Sequence, residues 1–159
     1  MTGGSALGSD FPIFGVTSAV PALAFLDSVK FIDDLLRMFD SDVAQDKFPG
    51  GYISLRVTGQ IKALLGMQRF DRMGAVEVAM LCTDTARDMN KQVESMALDQ
   101  NALLHWGQTN GLMTANDVNS RFGPSGHIPG RLGKWRAAQA TLGGSTFVNS
   151  FMKRCGLVG

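Results

Sequence analysis

The sequence predicts an α+β domain with a largely antiparallel sheet and helices packed on one face. Three observations indicate this class: an apolar helical period after Pro21, a period of two over 52–58, and a second helical period after Thr85. An apolar, β-rich segment at 76–81 stands between the last two. Helices and strands in this irregular order are typical of α+β folds. The length of 159 residues fits one domain with a real core.

The first forty residues are predicted to contain a flexible segment followed by an amphipathic helix. Residues 1–19 are expected to be a flexible segment, because MTGGSALGS is rich in small residues and lacks a signal-peptide pattern. Residues 20–159 are expected to form the single domain. An amphipathic helix is predicted from Val20 to Phe39, and five charged residues within it exclude a membrane span. Its predicted buried stripe is Leu23, Leu26, Val29, Ile32, Leu35, Leu36 and Phe39.

Two neighbouring strands are predicted next. In 52–58 the polar residues Tyr52, Ser54, Arg56 and Thr58 face one way, and the apolar residues between them face the other. The apolar run 76–81 is predicted to lie beside this strand. The stretch 59–72 is ambiguous and is interpreted as a loop that links the two strands.

The second half predicts a helix, a third strand and two further helices. Asp84 or Thr85 is expected to cap the first helix, and 103–108 is predicted as a short strand. Thr114 with Asp117 resembles a capping box, the glycine- and proline-rich stretch 123–130 predicts a loop, and 131–142 predicts a helix. The buried stripe expected in the first helix is Ala86, Met89, Val93, Met96 and Ala97.

Composition excludes several classes of function. A net charge of +1 gives no long-range attraction for nucleic acid or anionic lipid. Cys82 and Cys155 are far apart, so neither a disulfide scaffold nor a zinc module is indicated, and a reducing, cytoplasmic location is expected. His105 and His127 are also distant, so no metal site is expected. Dinucleotide, Walker and nucleophile-elbow motifs are absent from the sequence.

Two short segments carry the candidate site. Ser54 and Arg56 share the polar face of a strand, where a guanidinium can hold a hydroxyl, carboxylate or phosphate; cross-strand pairing with Glu77 is the alternative that the residues alone favour. If 103–108 is extended, Trp106 and Gln108 share one face and His105 takes the other. An ordinary core tryptophan and a core histidine are the alternatives there.

The C-terminal third is basic, which admits a nucleic-acid patch, although a solvated helix face is favoured given the neutral total charge. The basic residues concerned are Arg121, Arg131, Lys134, Arg136, Lys153 and Arg154.

Three segments resemble FAD-linked oxidases of the vanillyl-alcohol-oxidase type, in particular the sugar-lactone and alditol oxidase branch. These segments are YISLR at 52–56, LHWGQ at 104–108 and FMKRCGL at 151–157. The resemblance covers 50–157 and implies the C-terminal substrate domain of a longer flavoprotein. It implies that Arg56 binds or polarises the substrate oxygen, with Ser54 in the place of a glutamate and Gln108 in the place of a lysine.

The resemblance implies an FAD-dependent oxidoreductase acting on the CH–OH group of a sugar lactone, polyol or other alcohol. The expected substrate-binding residues are Arg56, Ser54, Gln108, Trp106 and His105. The FAD would be bound mainly by an N-terminal domain outside this chain, without which the chain is inactive. Nucleic acid is not an expected partner in this interpretation. The alternatives are a non-catalytic ligand- or nucleic-acid-binding module, and a homodimer formed through an exposed sheet.

Overall fold

The structure is a computed structural model that describes residues 16–47, 50–126 and 129–158, and it has the α+β class that the sequence predicts. The strands are β1 (Val16–Ala19), β2 (Pro21–Ala24), β3 (Gly51–Thr58), β4 (Met73–Leu81) and β5 (Leu103–Leu104). The α-helices are α1 (Phe25–Val43), α2 (Asp84–Asp99), α3 (Ala115–Phe122), α4 (Arg131–Leu142) and α5 (Ser150–Arg154), with a 3₁₀ turn at Gly144–Phe147.

Strand β4 is central in the antiparallel sheet. Strand β3 pairs with β4 along its whole length, while β1 and β2 pair in succession with the other edge of β4. Strands β1 and β2 thus act as one strand interrupted at Val20, and β5 pairs with β2. The order β3–β4–β1/β2–β5, reached by a β-α-β-β-α-β chain, is that of a ferredoxin-like split β-α-β sheet.

Helices α1 and α2 cover the same face of this sheet. A Cβ on Gly74 of β4 would lie 2.1 Å from Ser28 Oγ, so α1 approaches the sheet closely at this glycine. On α2, the Asn90 side chain donates to the Thr17 hydroxyl of β1 at 3.1 Å. Thr17 pairs with Met80, which lies on the same face of β4 as Gly74. The opposite face of the sheet, which carries Ser54 and Arg56, is therefore free of these two helices.

The predictions for the first forty residues were partly wrong. Residues 16–19, assigned to the flexible segment, form β1, and 21–24, assigned to the helix, form β2. The rest of the predicted flexible segment lies outside the described residues. Short strands of this kind have no local signal strong enough to define them; pairing with β4 and β5 holds them extended.

Helix α1 is present, and its predicted buried stripe is half right: Leu35 is buried and Ile32 and Phe39 pack against the core. Leu26 is 79% exposed, and Val29 and Leu36 are also exposed, although all three belong to the predicted stripe. The buried positions are Ser28, Phe31, Leu35 and Asp42. The small Ser28 fits against Gly74, and this close approach sets the rotation of the helix on the sheet.

The later elements largely confirm the predictions. Helix α2 is capped by Thr83, one residue before the predicted cap, and it buries four of the five stripe residues fully. Helix α3 has the predicted capping box between Thr114 and Asp117. The third strand is much shorter than predicted, because it ends at Leu104. The segment 59–72, which the sequence leaves ambiguous, is the loop between β3 and β4.

Arginines hold backbone carbonyls between elements of the fold. Arg121 is only 2% exposed and donates to the carbonyls of Leu98, Ala102 and Asp117. The prediction of a solvated helix face is therefore wrong for this residue. Four more arginines donate to carbonyls in the same manner, namely Arg69, Arg131, Arg136 and Arg154. Four of the six basic residues of the C-terminal third, namely Arg121, Arg131, Arg136 and Arg154, thus have this structural role.

Candidate functional site

A polar groove of about 350 Å³ lies on the sheet face opposite α1 and α2. It collects side chains from two strands, from the β3–β4 loop and from the segment after β5. Its polar lining consists of Arg56, Thr58, Gln68, Glu77, His105 and Gln108. Three of the five predicted site residues, Arg56, His105 and Gln108, therefore meet in one place.

Arg56 and Glu77 form the charged end of this groove. An Nη of Arg56 lies 3.5 Å from Glu77 Oε2, so the cross-strand pairing that the residues alone favour is present. The Arg56 side chain is nevertheless 75% exposed, whereas that of Glu77 is largely covered. Ser54, opposite Glu77 in the sheet, donates its hydroxyl to the same oxygen at 3.3 Å. Ser54 thus orients the carboxylate and does not line the groove itself.

His105 is held by hydrogen bonds at its backbone amide, its backbone carbonyl and its ring. Its amide donates to the Val20 carbonyl, at the interruption between β1 and β2. Its Nδ1 accepts from the Gly107 amide at 3.0 Å, so the proton of the neutral ring is on Nε2. The ring is therefore held with Nε2 as its donor.

Gln108 is held by the strand on the far side of β4. Its Oε1 accepts from the Ser18 hydroxyl of β1 at 2.8 Å. Ser18 pairs with Ala79, two residues from Glu77 and on the same face of β4. This contact anchors the carbonyl end of the amide, so the Nε2 end of Gln108 is the donor that the side chain can offer to a ligand.

Trp106 does not join the groove, and the prediction that it shares a face with Gln108 was wrong. Since β5 ends at Leu104, residues 106–108 form a turn, and the alternation of an extended strand does not apply. The Trp106 indole donates to the Leu65 carbonyl at 2.7 Å and packs near Phe122 and Phe151. It lines a separate apolar cavity.

Sequence reasoning missed Gln68 and Thr58 as groove residues. Thr58 carries a usable signal, because it lies on the polar face of the same period-two strand as Arg56. Gln68 carries none, since it belongs to a loop whose path depends on contacts such as Gln60 Nε2 to the Arg69 carbonyl at 2.7 Å. His127 lies outside the described residues.

The groove combines donors and acceptors rather than forming a metal centre. Within 16–47, 50–126 and 129–158, no group of three His, Cys, Asp or Glu side chains is arranged to hold a metal ion. A guanidinium, an imidazole and two amides surround one carboxylate. Such a set complements a small molecule that has both hydroxyl groups and a carbonyl or carboxylate oxygen.

None of the described helices is long and apolar enough to cross a membrane.

Comparison with known proteins yields no match: no family model, no curated protein and no solved structure is significantly similar to this chain.

The polar groove is too small to enclose a whole FAD. The groove volume of about 350 Å³ is at the lower end of the range for small-ligand pockets, and FAD joins a three-ring flavin to a whole adenosine diphosphate. A pyrophosphate is usually cradled by a glycine-rich turn at a helix N-terminus, and the sequence lacks that motif. A flavin on another domain of a longer protein stays a prediction of the resemblance.

Proposed function

We propose that this domain binds a small hydroxy acid or a related hydroxyl-bearing molecule in the polar groove. The observation that carries the proposal is the convergence of Arg56, Glu77, His105 and Gln108 from three parts of the chain (β3, β4 and the segment after β5) on one cavity. Three of these side chains are held in place by contacts behind them, with Ser54, Gly107 and Ser18. Such support is what a binding site needs to be preorganised.

Arg56 supplies the main attraction for the ligand. Its partner Glu77 is engaged by only one end of a mostly exposed guanidinium, so the remaining donors can meet a carboxylate oxygen. His105 Nε2 and the Gln108 amide are donors for neighbouring hydroxyl oxygens, and the Glu77 carboxylate is an acceptor for a hydroxyl proton. The resemblance adds the finer proposal that the ligand is the CH–OH substrate of a flavin-dependent oxidoreductase.

A titration of the ¹⁵N-labelled chain tests the binding proposal. Lactate should shift the signals of the Gln68 and Gln108 side-chain amides and of the Arg56 guanidinium in a saturable way. Glycerol, which lacks the carboxylate, should bind more weakly. The Arg56→Gln variant should lose about tenfold or more in lactate affinity, because one charge-assisted hydrogen bond is lost.

Arg37→Gln is the matched control, because it removes the same charge from the exposed side of α1, where Arg37 contacts Asp34. It should bind lactate as the unchanged chain does. An equal loss of affinity in the two variants would reduce the effect to net charge and contradict the proposal. So would the absence of saturable shifts with lactate, glycerol and acetate alike.

Arg56→Gln should leave the fold nearly as stable as before. The Arg56–Glu77 pair is exposed on the arginine side, and such pairs contribute about 0–1 kcal/mol. We therefore expect urea denaturation to give a change of less than about 1 kcal/mol in the free energy of unfolding. A larger loss would mean that Arg56 is a structural residue, and the binding assignment would fail with it.

A further inference from the structure

A second cavity, of about 570 Å³, lies next to the polar groove and has a different chemistry. Segment 63–66 forms one wall, and Trp106, Trp135, Phe151 and Leu157 form the others. The two cavities share their dividing segments: residues 67 and 68 of the β3–β4 loop face the groove, as do His105 and Gln108 on either side of Trp106.

The indole N–H groups of both tryptophans already have hydrogen-bond acceptors within the fold. Trp106 Nε1 donates to the Leu65 carbonyl at 2.7 Å, and Trp135 Nε1 donates to the Leu157 carbonyl at 3.1 Å. The polar atom of each ring is thus used, and the rings offer the cavity their carbon surfaces. Phe151 meets Trp106 edge-to-face, with the ring centroids 6.2 Å apart.

Hydrogen bonds connect the elements that form the walls of the cavity. Arg131, at the start of α4, donates to the carbonyls of Ala63 and Ile61 at 2.7 and 3.1 Å. This contact fastens the β3–β4 loop to the helix that carries Trp135. Together with the Trp106–Leu65 hydrogen bond, it holds the loop at both sides of the cavity. The cavity is therefore formed by the fold itself, as small-molecule sites usually are.

We propose that this cavity binds a compact, uncharged molecule with a ring. Its volume falls within the range of small-molecule pockets, and its aromatic walls favour a planar, apolar partner. Among the described residues no charged side chain belongs to the lining, so a charged ligand would lose its hydration without gaining a counter-ion there. This inference does not depend on the ligand of the polar groove.

The two tryptophans of the chain make the test specific, because both of them line this cavity. Benzyl alcohol and benzoate share a ring and differ in charge, and each is titrated while the two indole N–H signals are followed by NMR. Benzyl alcohol should shift both signals saturably, and benzoate should bind at least about tenfold more weakly, as expected for an apolar site without a counter-ion. Equal binding of the two, or shifts that do not saturate, would overturn the proposal.

A variant that fills the cavity locates the site. Ala63→Phe places a ring on the exposed edge of the lining and should lower the affinity for benzyl alcohol at least about tenfold by occupying the space. Ala137→Phe, on an exposed position of α4 outside the lining, is the control and should bind as before. Arg56→Gln should also bind benzyl alcohol normally, which separates this site from the groove. Unchanged affinity in folded Ala63→Phe would contradict the assignment; if that variant does not fold, the comparison with benzoate decides.

Discussion

Replacement of Arg121 by methionine should lower the free energy of unfolding by about 3–5 kcal/mol. Arg121 is buried and donates to three backbone carbonyls, with its Nη1 also 3.5 Å from Asp117 Oδ1. Methionine fills much of the same space but satisfies none of these acceptors. The Ala102 carbonyl, before β5, would lose the Arg121 donor, whereas the Leu98 carbonyl at the end of α2 would lose one donor and keep the Asn101 amide. Urea denaturation followed by circular dichroism measures the loss.

Arg69→Met is the control for this prediction. Arg69 is 1% exposed, yet among the described residues its guanidinium donates only to the Asn101 carbonyl, and its Nε has no hydrogen-bond partner. Burial, and to a smaller extent the nearby positive charge of Arg121, together lower the pKa of Arg69 to about 10. Its removal should therefore change stability by less than about 1 kcal/mol, since an apolar replacement for a poorly compensated buried charge is often neutral. Equal losses in the two variants would show that side-chain volume, not hydrogen bonding, determines the cost.

Glu94→Ala should lower the free energy of unfolding by about 2–4 kcal/mol. Glu94 is a buried residue of α2, and its Oε2 accepts from the amides of Gly111 and Leu112 at 2.7 and 2.9 Å. Without it, two amides lose their acceptor. Hydrogen exchange at Gly111 and Leu112 should accelerate by more than the global loss of stability explains, because the contact holds this loop directly.

Glu94→Gln separates hydrogen bonding from charge at the same position. The amide oxygen of glutamine can still accept from both N–H groups, so this variant should lose less than half of what alanine loses. The same loop is held from its carbonyl side by Arg154 of α5, which donates to Met113 at 2.9 Å. If glutamine and alanine cost the same, the negative charge of Glu94 would be the stabilising factor, and the hydrogen-bond explanation would be wrong.

Those parts of the fold that depend on local chemistry were predictable. The alternation in β3 located Arg56 on the polar face, and the Thr114–Asp117 capping box located the start of α3. By contrast, β1 and β2 are extended because β4 lies beside them, and no local pattern states this. The rotation of α1 depends on the contact of Ser28 with Gly74, which lies 46 residues further along the chain, and is likewise non-local.

In the candidate site, too, some residues could be predicted from local sequence and others depend on distant contacts. Arg56 could be found from periodicity, and Glu77 from its position in the neighbouring strand. His105 and Gln108 could be nominated as a pair of polar residues, but their placement depends on the turn after Leu104, which the apolar–polar pattern did not reveal. Gln68 reaches the groove by the path of a long loop that Arg131 and Gln60 hold in place.

The position of β3 at the edge of the sheet has a consequence for the protein in concentrated solution. Among the described residues β3 pairs with β4 alone, and its Tyr52 and Val57 are 56% and 62% exposed. Long apolar edge strands are templates for pairing with other chains, and a charge on the edge is a common protection against this. Arg56 is the only charged residue in β3. In the proposed function this one guanidinium would therefore have two roles: it would recognise the ligand on the face of the sheet and hinder pairing with other chains at the sheet edge. A substitution that removes Arg56 would remove both.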